Sequence, residues 1–140
     1  MASAETLEWA IPSDTGEAQR VQEEIVAKIE AYGFSARDVF GLRLAMEEAL
    51  MNAIRHGNGG DRSKQVRVWY EYVDGCASVR VEDEGPGFDP GDVPDPTLDE
   101  NLERPGGRGI MLMRNFLDEI RYEGRGNVVF MKKCRTAEAD

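Results

Sequence analysis

Residues 47–58 read Glu47-Glu48-Ala49-Leu50-Met51-Asn52-Ala53-Ile54-Arg55-His56-Gly57-Asn58. Apolar residues recur at helical spacing through this stretch, which predicts a helix with one buried side. Glu48, Asn52 and His56 are spaced four residues apart and therefore form a polar stripe along that helix. A polar stripe is usually only a solvated face. An amide oxygen one turn from a carboxylate, however, also suits a hydrated Mg²⁺ with a nucleophile beside it.

The segments before this helix predict a strand and a first helix. Residues 7–11 are apolar enough for a short strand, and Pro12 breaks it. Apolar positions then recur at helical spacing up to Gly33, which is well placed to end a helix. Ser35 and Asp38 resemble a capping box at the start of the second helix, and the glycines at 57, 59 and 60 stop that helix.

The segments after the second helix predict mainly strands. Residues 66–72 and 77–81 alternate between apolar and polar side chains, and Asp74-Gly75 between them predicts a hairpin turn. Residues 86–105 hold five of the six prolines and show no periodicity, so we expect a long loop of the kind that forms lids. A helix near 107–116 and strands near 120–122 and 128–132 are predicted to follow.

Composition restricts the functions that the chain can have. At 140 residues the length fits one domain, residues 1–140, with a core of its own. The formal net charge of −10 argues against a nucleic-acid surface, because binding to phosphates depends mainly on Lys and Arg. No apolar run is long enough to span a membrane, and the first residues show no export signal, so we expect a cytoplasmic protein.

Cysteine and histidine are too few for a structural metal site. Cys76 and Cys134 both fall in strand-like segments and could meet across a sheet, but two buried thiols are the expected state. With one histidine and no close cysteine pair, a zinc site would lack ligands.

A second polar group follows the hairpin and reads Glu82-Asp83-Glu84-Gly85-Pro86-Gly87. Strand alternation puts Asp83 on the face of Val79 and Val81, which the helices should cover. A carboxylate there is costly unless it meets a donor, and an exocyclic amine such as that of adenine would satisfy it. Gly85 and Gly87 would let the backbone pass close to a ring. The alternative is that Asp83 only begins a glycine turn.

A third polar group leads into an apolar helix and reads Arg104-Pro105-Gly106-Gly107-Arg108-Gly109. Free N–H groups at a helix start, beside glycines and arginines, form a site for an anion such as phosphate. The pattern is weak evidence when taken alone. Neither a complete G-x-G-x-x-G nor a G-K-[ST] motif is present.

Taken in order, the three groups resemble the N, G1 and G2 boxes of the histidine-kinase-like (GHKL) ATPases. They read E-x-x-x-N at 48–52, D-x-G-x-G at 83–87 and G-x-G at 107–109. The resemblance implies the fold of that family, a two-layer α/β sandwich whose mostly antiparallel sheet is covered on one face by helices. It also makes residues 88–106 the lid over the nucleotide.

The same resemblance implies roles for individual residues. Glu48 would be the general base, and Asn52 would ligate Mg²⁺. Asp83 would bind the adenine amine of ATP, with glycines at 85 and 87 close to the ring. The groups that would bind the phosphates are two glycines and one of two arginines, namely Gly107 and Gly109 with Arg104 or Arg108.

Within that family the chain is similar to the anti-sigma-factor serine kinases. The similarity lies in the short length, the E-E-A-x-x-N-A-x-x-H-G form of the first box, and Asn115-Phe116-Leu117-Asp118-Glu119. It implies a protein that binds a sigma factor, phosphorylates a Ser or Thr of a STAS-domain antagonist, and forms a homodimer. The arginines near the G2 glycines depart from the pattern of these kinases, so the resemblance supports nucleotide binding more directly than phosphotransfer.

Two functions of different classes are therefore predicted as alternatives. The first is a protein serine/threonine kinase that sequesters a sigma factor and is countered by its own substrate. The second is an ATP-gated binding module, in which the nucleotide orders the lid without phosphotransfer. Glu48 favours the kinase, because a switch without chemistry has no need of a base.

Overall fold

The described part of the chain holds one sheet of five strands, which are β1 (Ala4–Pro12), β2 (Gln65–Val73), β3 (Cys76–Glu82), β4 (Glu119–Glu123) and β5 (Val128–Cys134). They lie side by side in the order β1-β2-β3-β5-β4. The structure is a computed structural model, and it describes residues 4–85, 115–124 and 127–136. Neighbouring strands are antiparallel throughout. The alternating segments predicted this for the hairpin, and the family resemblance implied a mostly antiparallel sheet.

The hairpin between β2 and β3 turns at Asp74-Gly75, as predicted. Asp74 has φ 51° and Gly75 has φ 83°, and two successive left-handed residues are what a two-residue hairpin turn requires. The turn fixes a register in which Val79 lies opposite Tyr70 and Val81 opposite Val68. Because alternate residues of a strand face the same way, these apolar side chains all point toward one face.

Among the residues that the structure describes, two helices cover that face, α1 (Thr15–Ala31) and α2 (Ala36–Asn52). Asp14 caps α1 by accepting the Gly16 N–H, and Gly33 lies just beyond its end, as the sequence predicted. The expected two-layer α/β sandwich is thus confirmed for the described residues. In this part of the chain, no helix has the length and apolarity needed to span a membrane.

The core lies between the helices and the covered face of the sheet. Its largest fully buried side chains come from both layers and include Tyr70, Ile25, Ile29, Leu42, Met46, Leu50 and Met131. Burying each such side chain contributes roughly 1.5–3 kcal/mol. This core holds α2 firmly against the sheet, and α2 carries Glu48 and Asn52 of the polar stripe.

The predicted capping box at the start of α2 is only half formed. Ser35 Oγ accepts the Asp38 N–H at 3.1 Å. The Asp38 carboxylate, however, accepts bonds from the Thr136 N–H at 2.8 Å and the Thr136 hydroxyl at 2.6 Å. Lys133 Nζ lies 3.5 Å from the same carboxylate. Asp38 is only 2% exposed, so it ties the end of β5 to the start of α2.

Cys76 and Cys134 form a disulfide, and the expectation of two thiols is wrong. They are register partners in the β3–β5 pair. The next position along this pair is the hydrogen-bonded one, because the Arg135 N–H donates to the Gly75 carbonyl at 2.7 Å. Side chains at the non-hydrogen-bonded positions of an antiparallel pair lie closest together. The register of two distant strands therefore decides this pairing, and neither cysteine's local sequence indicates it.

We expect Asp38 to contribute stability that is lost in acid. Burial acts to raise its pKa, but the hydrogen bonds from Thr136 and the charge of Lys133 outweigh burial and hold the folded-state pKa below the ordinary 3.8. A carboxylate of this kind stabilises above its unfolded-state pKa, and the contribution is lost as pH falls through the folded value. Urea titrations should find Asp38→Asn about 1–3 kcal/mol less stable at neutral pH, with the gap closing below pH 3.8. A gap independent of pH would contradict this role.

Reduction of the Cys76–Cys134 bond should lower the melting temperature. The bond closes a loop of 58 residues, and such cross-links stabilise by roughly 2–4 kcal/mol, mainly by restricting the unfolded chain. Calorimetry with and without a phosphine reductant measures the effect. The Cys76→Ser/Cys134→Ser variant should melt like the reduced wild type and should not respond to reductant. An equal melting temperature for the oxidised and fully reduced wild type would refute the prediction.

Candidate functional site

The polar end of α2 runs into a π-helical turn, Ala53–Gly57. Before this turn the spacing is α-helical, so Glu48 and Asn52 share one stripe, as predicted, and both are half-buried. His56 is exposed, and the wider turn takes it out of α-helical spacing with Asn52. The predicted stripe therefore ends at Asn52. Single π turns within helices occur frequently at functional sites.

Gly57, at the end of the π turn, lies directly against the carboxylate of Asp83. A Cβ at position 57 would be 2.2 Å from Asp83 Cγ, which no side chain tolerates. A Cβ at position 85 would be 2.0 Å from the carbonyl oxygen of Gly57. The first and second polar groups thus pack together through Gly57 and Gly85, and both positions require glycine.

Hydrogen bonds fix the backbone of Asp83 just beyond β3. Its N–H donates to the Asn127 carbonyl at 3.0 Å, and Asn127 Nδ2 donates to the Asp83 carbonyl at 3.1 Å. Asp83 Oδ1 accepts the Gly85 N–H at 2.7 Å. Asp83 does begin a glycine turn, which was the simpler alternative. Its half-buried carboxylate also meets the end of the helix layer at Gly57, so the turn and the predicted ligand role are compatible.

Tyr122 of β4 lies close enough to Glu48 for that carboxylate to affect its pKa. Burial first, and then the negative charge of Glu48, raises the pKa of Tyr122 to about 12. The phenol therefore stays protonated at neutral pH. Because the charge of Glu48 reaches Tyr122, which is half-buried against the core, β4 lies near the polar stripe of α2.

The side-chain amide of Asn52 has a donor that a bound ligand could satisfy. Its Nδ2 is buried and has no hydrogen-bond partner among the described residues. A buried donor without a partner is costly, and an oxygen of a bound ligand would satisfy it. No cluster of three His, Cys, Asp or Glu side chains in the described ranges could hold a metal alone. A divalent cation beside Asn52 would take its other ligands mainly from phosphate and water, as Mg²⁺ usually does.

Two open cavities are lined by residues that the structure describes, and one of them reaches Asp83. One open cavity of about 530 Å³ lies on the sheet face away from the helices, beside Trp69 and Arg80. Another of about 540 Å³ is lined by Arg67, Glu82 and Asp83 among others. Neither of these two cavities is lined by Glu48 or Asn52, so these two residues are assigned to the site from their positions and chemistry.

The remaining predicted site residues fall outside the described part of the chain. These are Gly87, Arg104, Gly107, Arg108 and Gly109, together with the predicted lid at 88–106. The predicted helix near 107–116 falls outside it too, except for its last two residues. The roles predicted for these residues stay predictions.

Sequence reasoning missed Gly57 and Asn127, which contact Asp83, and Tyr122, which lies near Glu48. Gly57 carried one local signal, since glycine is unfavourable inside a helical pattern and indicates a close contact. Asn127 and Tyr122 carried none, because their contacts depend on how β5 and β4 pair with the rest of the sheet.

Comparison with known proteins agrees with these motifs. The family described as "Histidine kinase-like ATPase domain" matches residues 11–133. Serine-protein kinase RsbW of Bacillus licheniformis is 31% identical over 115 residues, which cover 76% of this chain and 71% of the relative. Serine/threonine-protein kinase BtrW of Bordetella bronchiseptica is 28% identical over 126 residues, which cover 89% of this chain and 87% of the relative.

A solved structure shares the fold. It contains the RsbU and RsbW domains of a Mycobacterium tuberculosis protein and matches this chain with a TM-score of 0.63 at 16% identity. The match covers 92% of this chain but only 31% of that longer chain. At this identity the likeness concerns the fold alone. The family match runs from β1 to β5 and includes Glu48, Asn52 and Asp83. The chain therefore belongs to the histidine kinase-like ATPase domain family and is a relative of the RsbW serine-protein kinases.

Proposed function

We propose that this chain is an ATP-dependent protein serine/threonine kinase. It binds a sigma factor and phosphorylates a STAS-domain antagonist of that factor, in the cytoplasm. The observation that carries the proposal is the contact of Gly57 with Asp83, because it joins the helix of Glu48 and Asn52 to the carboxylate suited to adenine. Family membership and the similarity to RsbW and BtrW support the same reaction.

Asp83 is proposed to recognise adenine. Its carboxylate accepts a hydrogen bond, and adenine presents a donor at its exocyclic amine, where guanine presents an oxygen. The missing side chains of Gly57 and Gly85 bring the backbone close to the carboxylate. The pocket should therefore favour ATP over GTP.

Asn52 is proposed to ligate through Oδ1 the Mg²⁺ that accompanies ATP. Its buried Nδ2, which has no partner among the described residues, would then donate to a phosphate oxygen. Mg²⁺, when bound, neutralises charge on the β- and γ-phosphates. As the resemblance implies, Gly107 and Gly109 are proposed to bind the phosphates, and Arg104 or Arg108 the γ-phosphate. Gly87 is proposed to help Asp83 bind adenine. Residues 88–106 are proposed to be the lid.

Glu48 is proposed to be the general base. It lies one helical turn before Asn52, so a Ser or Thr hydroxyl that reaches the γ-phosphate beside Asn52 is within the range of its carboxylate. Glu48 orients this hydroxyl and accepts its proton as the oxygen forms a bond to the γ-phosphorus. The bond from the γ-phosphorus to the bridging oxygen breaks, and ADP leaves. Positioning and charge neutralisation supply most of the catalysis in such transfers.

The competing proposal is an ATP-gated binding module without phosphotransfer. It needs the contact of Gly57 with Asp83 but has no use for Glu48. For either function we propose a homodimer formed through the sheet or the first helix, as the resemblance implies. Both functions predict ATP binding, so only a transfer assay separates them.

Glu48→Gln should abolish phosphotransfer without weakening ATP binding. Loss of a general base typically costs on the order of 10²–10⁴-fold in rate, and Glu48 does not contact adenine in the proposed site. The assay follows transfer of labelled γ-phosphate from ATP to a STAS-domain antagonist from the same genome, with ATP affinity measured in parallel.

Glu47→Gln is the matched control, because Glu47 is an exposed carboxylate one residue away on α2. It should transfer phosphate at nearly the wild-type rate. If the wild type binds ATP and both partners but transfers no phosphate, the kinase proposal fails and the binding module stands.

A further inference from the structure

Asn58, the residue after the π turn, has its side chain in the interior of the fold. It is only 2% exposed. Its Nδ2 donates to Ser13 Oγ at 3.0 Å and to the Gln65 carbonyl at 3.0 Å. Its Oδ1 accepts the Glu84 N–H at 2.7 Å. One carboxamide therefore joins the end of β1, the start of β2 and the turn after β3.

All polar groups of this carboxamide are used. A carboxamide offers two donors and an acceptor, and here the donors serve the scaffold while the acceptor serves the turn that holds Asp83. An aspartate side chain lacks the two donors, and a leucine side chain of similar size lacks the donors and the acceptor. Buried polar networks satisfied in this way fix one local structure, because each unsatisfied alternative is costly.

The turn after β3 is thereby fixed from two sides. Asn127 holds the backbone of Asp83, and Asn58 holds the backbone of Glu84, the next residue. The Glu84 carboxylate accepts the Gln65 N–H, which ties the same turn again to the start of β2. The position of the Asp83 carboxylate against Gly57 thus depends on a bond made one residue further along.

Asn58 also connects this turn to the helix of Asn52. Its own N–H donates to the Ala53 carbonyl at 2.9 Å and so closes the π turn. The five residues Ala53–Gly57 lie between the proposed Mg²⁺ ligand and Asn58. A change in the position of Asn58 would therefore move both parts of the site.

We propose that Asn58 is a positioning residue of the nucleotide site, which sets the Asp83 carboxylate for adenine through the Glu84 N–H. This inference rests on the proposed function. Asn58 does not itself touch the nucleotide or the reacting atoms in this assignment. Its loss should weaken adenine recognition rather than the transfer step, so KM for ATP rises while kcat at saturating ATP changes little.

The test is titration of ATP and GTP into the wild type, Asn58→Ala and Ser13→Ala with Mg²⁺ present. Ser13→Ala is the matched control, because it removes a scaffold partner of the same carboxamide and leaves the bond to Glu84. Measurements are made at a temperature where circular dichroism shows all three proteins to be folded. Should Asn58→Ala not fold, Asn58→Ser replaces it, since its hydroxyl is too short to reach Glu84.

Asn58→Ala should weaken ATP binding by about tenfold, as expected for a lost buried hydrogen bond, and should reduce the preference for ATP over GTP. Ser13→Ala should keep its ATP affinity within about twofold, even though both variants melt at lower temperature. Unchanged ATP affinity in Asn58→Ala would overturn the inference. Equal losses of ATP affinity in Asn58→Ala and Ser13→Ala would also overturn the inference, because they would show that Asn58 has a structural role only. Absence of ATP binding by the wild type would overturn the proposed function first and this inference with it.

Discussion

The close approach of the Gly57 backbone to the Asp83 carboxylate is the constraint on which the rest of the site depends. A methyl group at position 57 would lie within 2.2–2.6 Å of three atoms of that carboxylate, so the two polar groups meet only because Gly57 has no side chain. Asp83 and Gly57 are 26 positions apart, and a hairpin lies between them. The buried face of α2, the hairpin register and the π turn must therefore all be in place before the contact forms.

The surrounding structure keeps that contact in one geometry. Asn127 and Asn58 hold the turn on its two sides, and both side chains are buried. At the opposite end of β3, the Cys76–Cys134 bond and the Asp38–Thr136 contacts fasten β5 to β3 and α2. The strand that carries Asp83 is thus fixed at both ends. A fixed carboxylate favours recognition of one base, because a preorganised acceptor needs no rearrangement when its donor arrives.

Local features of this fold were predictable, and features set by strand pairing were not. Asp14 caps α1 through the nearby Gly16 N–H, and Asp74-Gly75 forms the turn of its own hairpin. Such local features follow from the sequence. Motif order likewise indicated Glu48, Asn52 and Asp83 as site residues, a role that stays a proposal. The disulfide and the Asn127 bonds depend on β5 lying between β3 and β4. Nothing near Cys134 or Asn127 specifies that order.

The most direct test of the account is calorimetric titration of ATP, with and without Mg²⁺, into the wild type and Asp83→Asn. Asparagine matches the shape of aspartate and keeps an oxygen for the Gly85 N–H, so the turn should survive while the charged acceptor is lost. We expect Mg²⁺-dependent binding of ATP by the wild type and none by Asp83→Asn. Absence of binding by the folded wild type, or equal binding by both proteins, would contradict it.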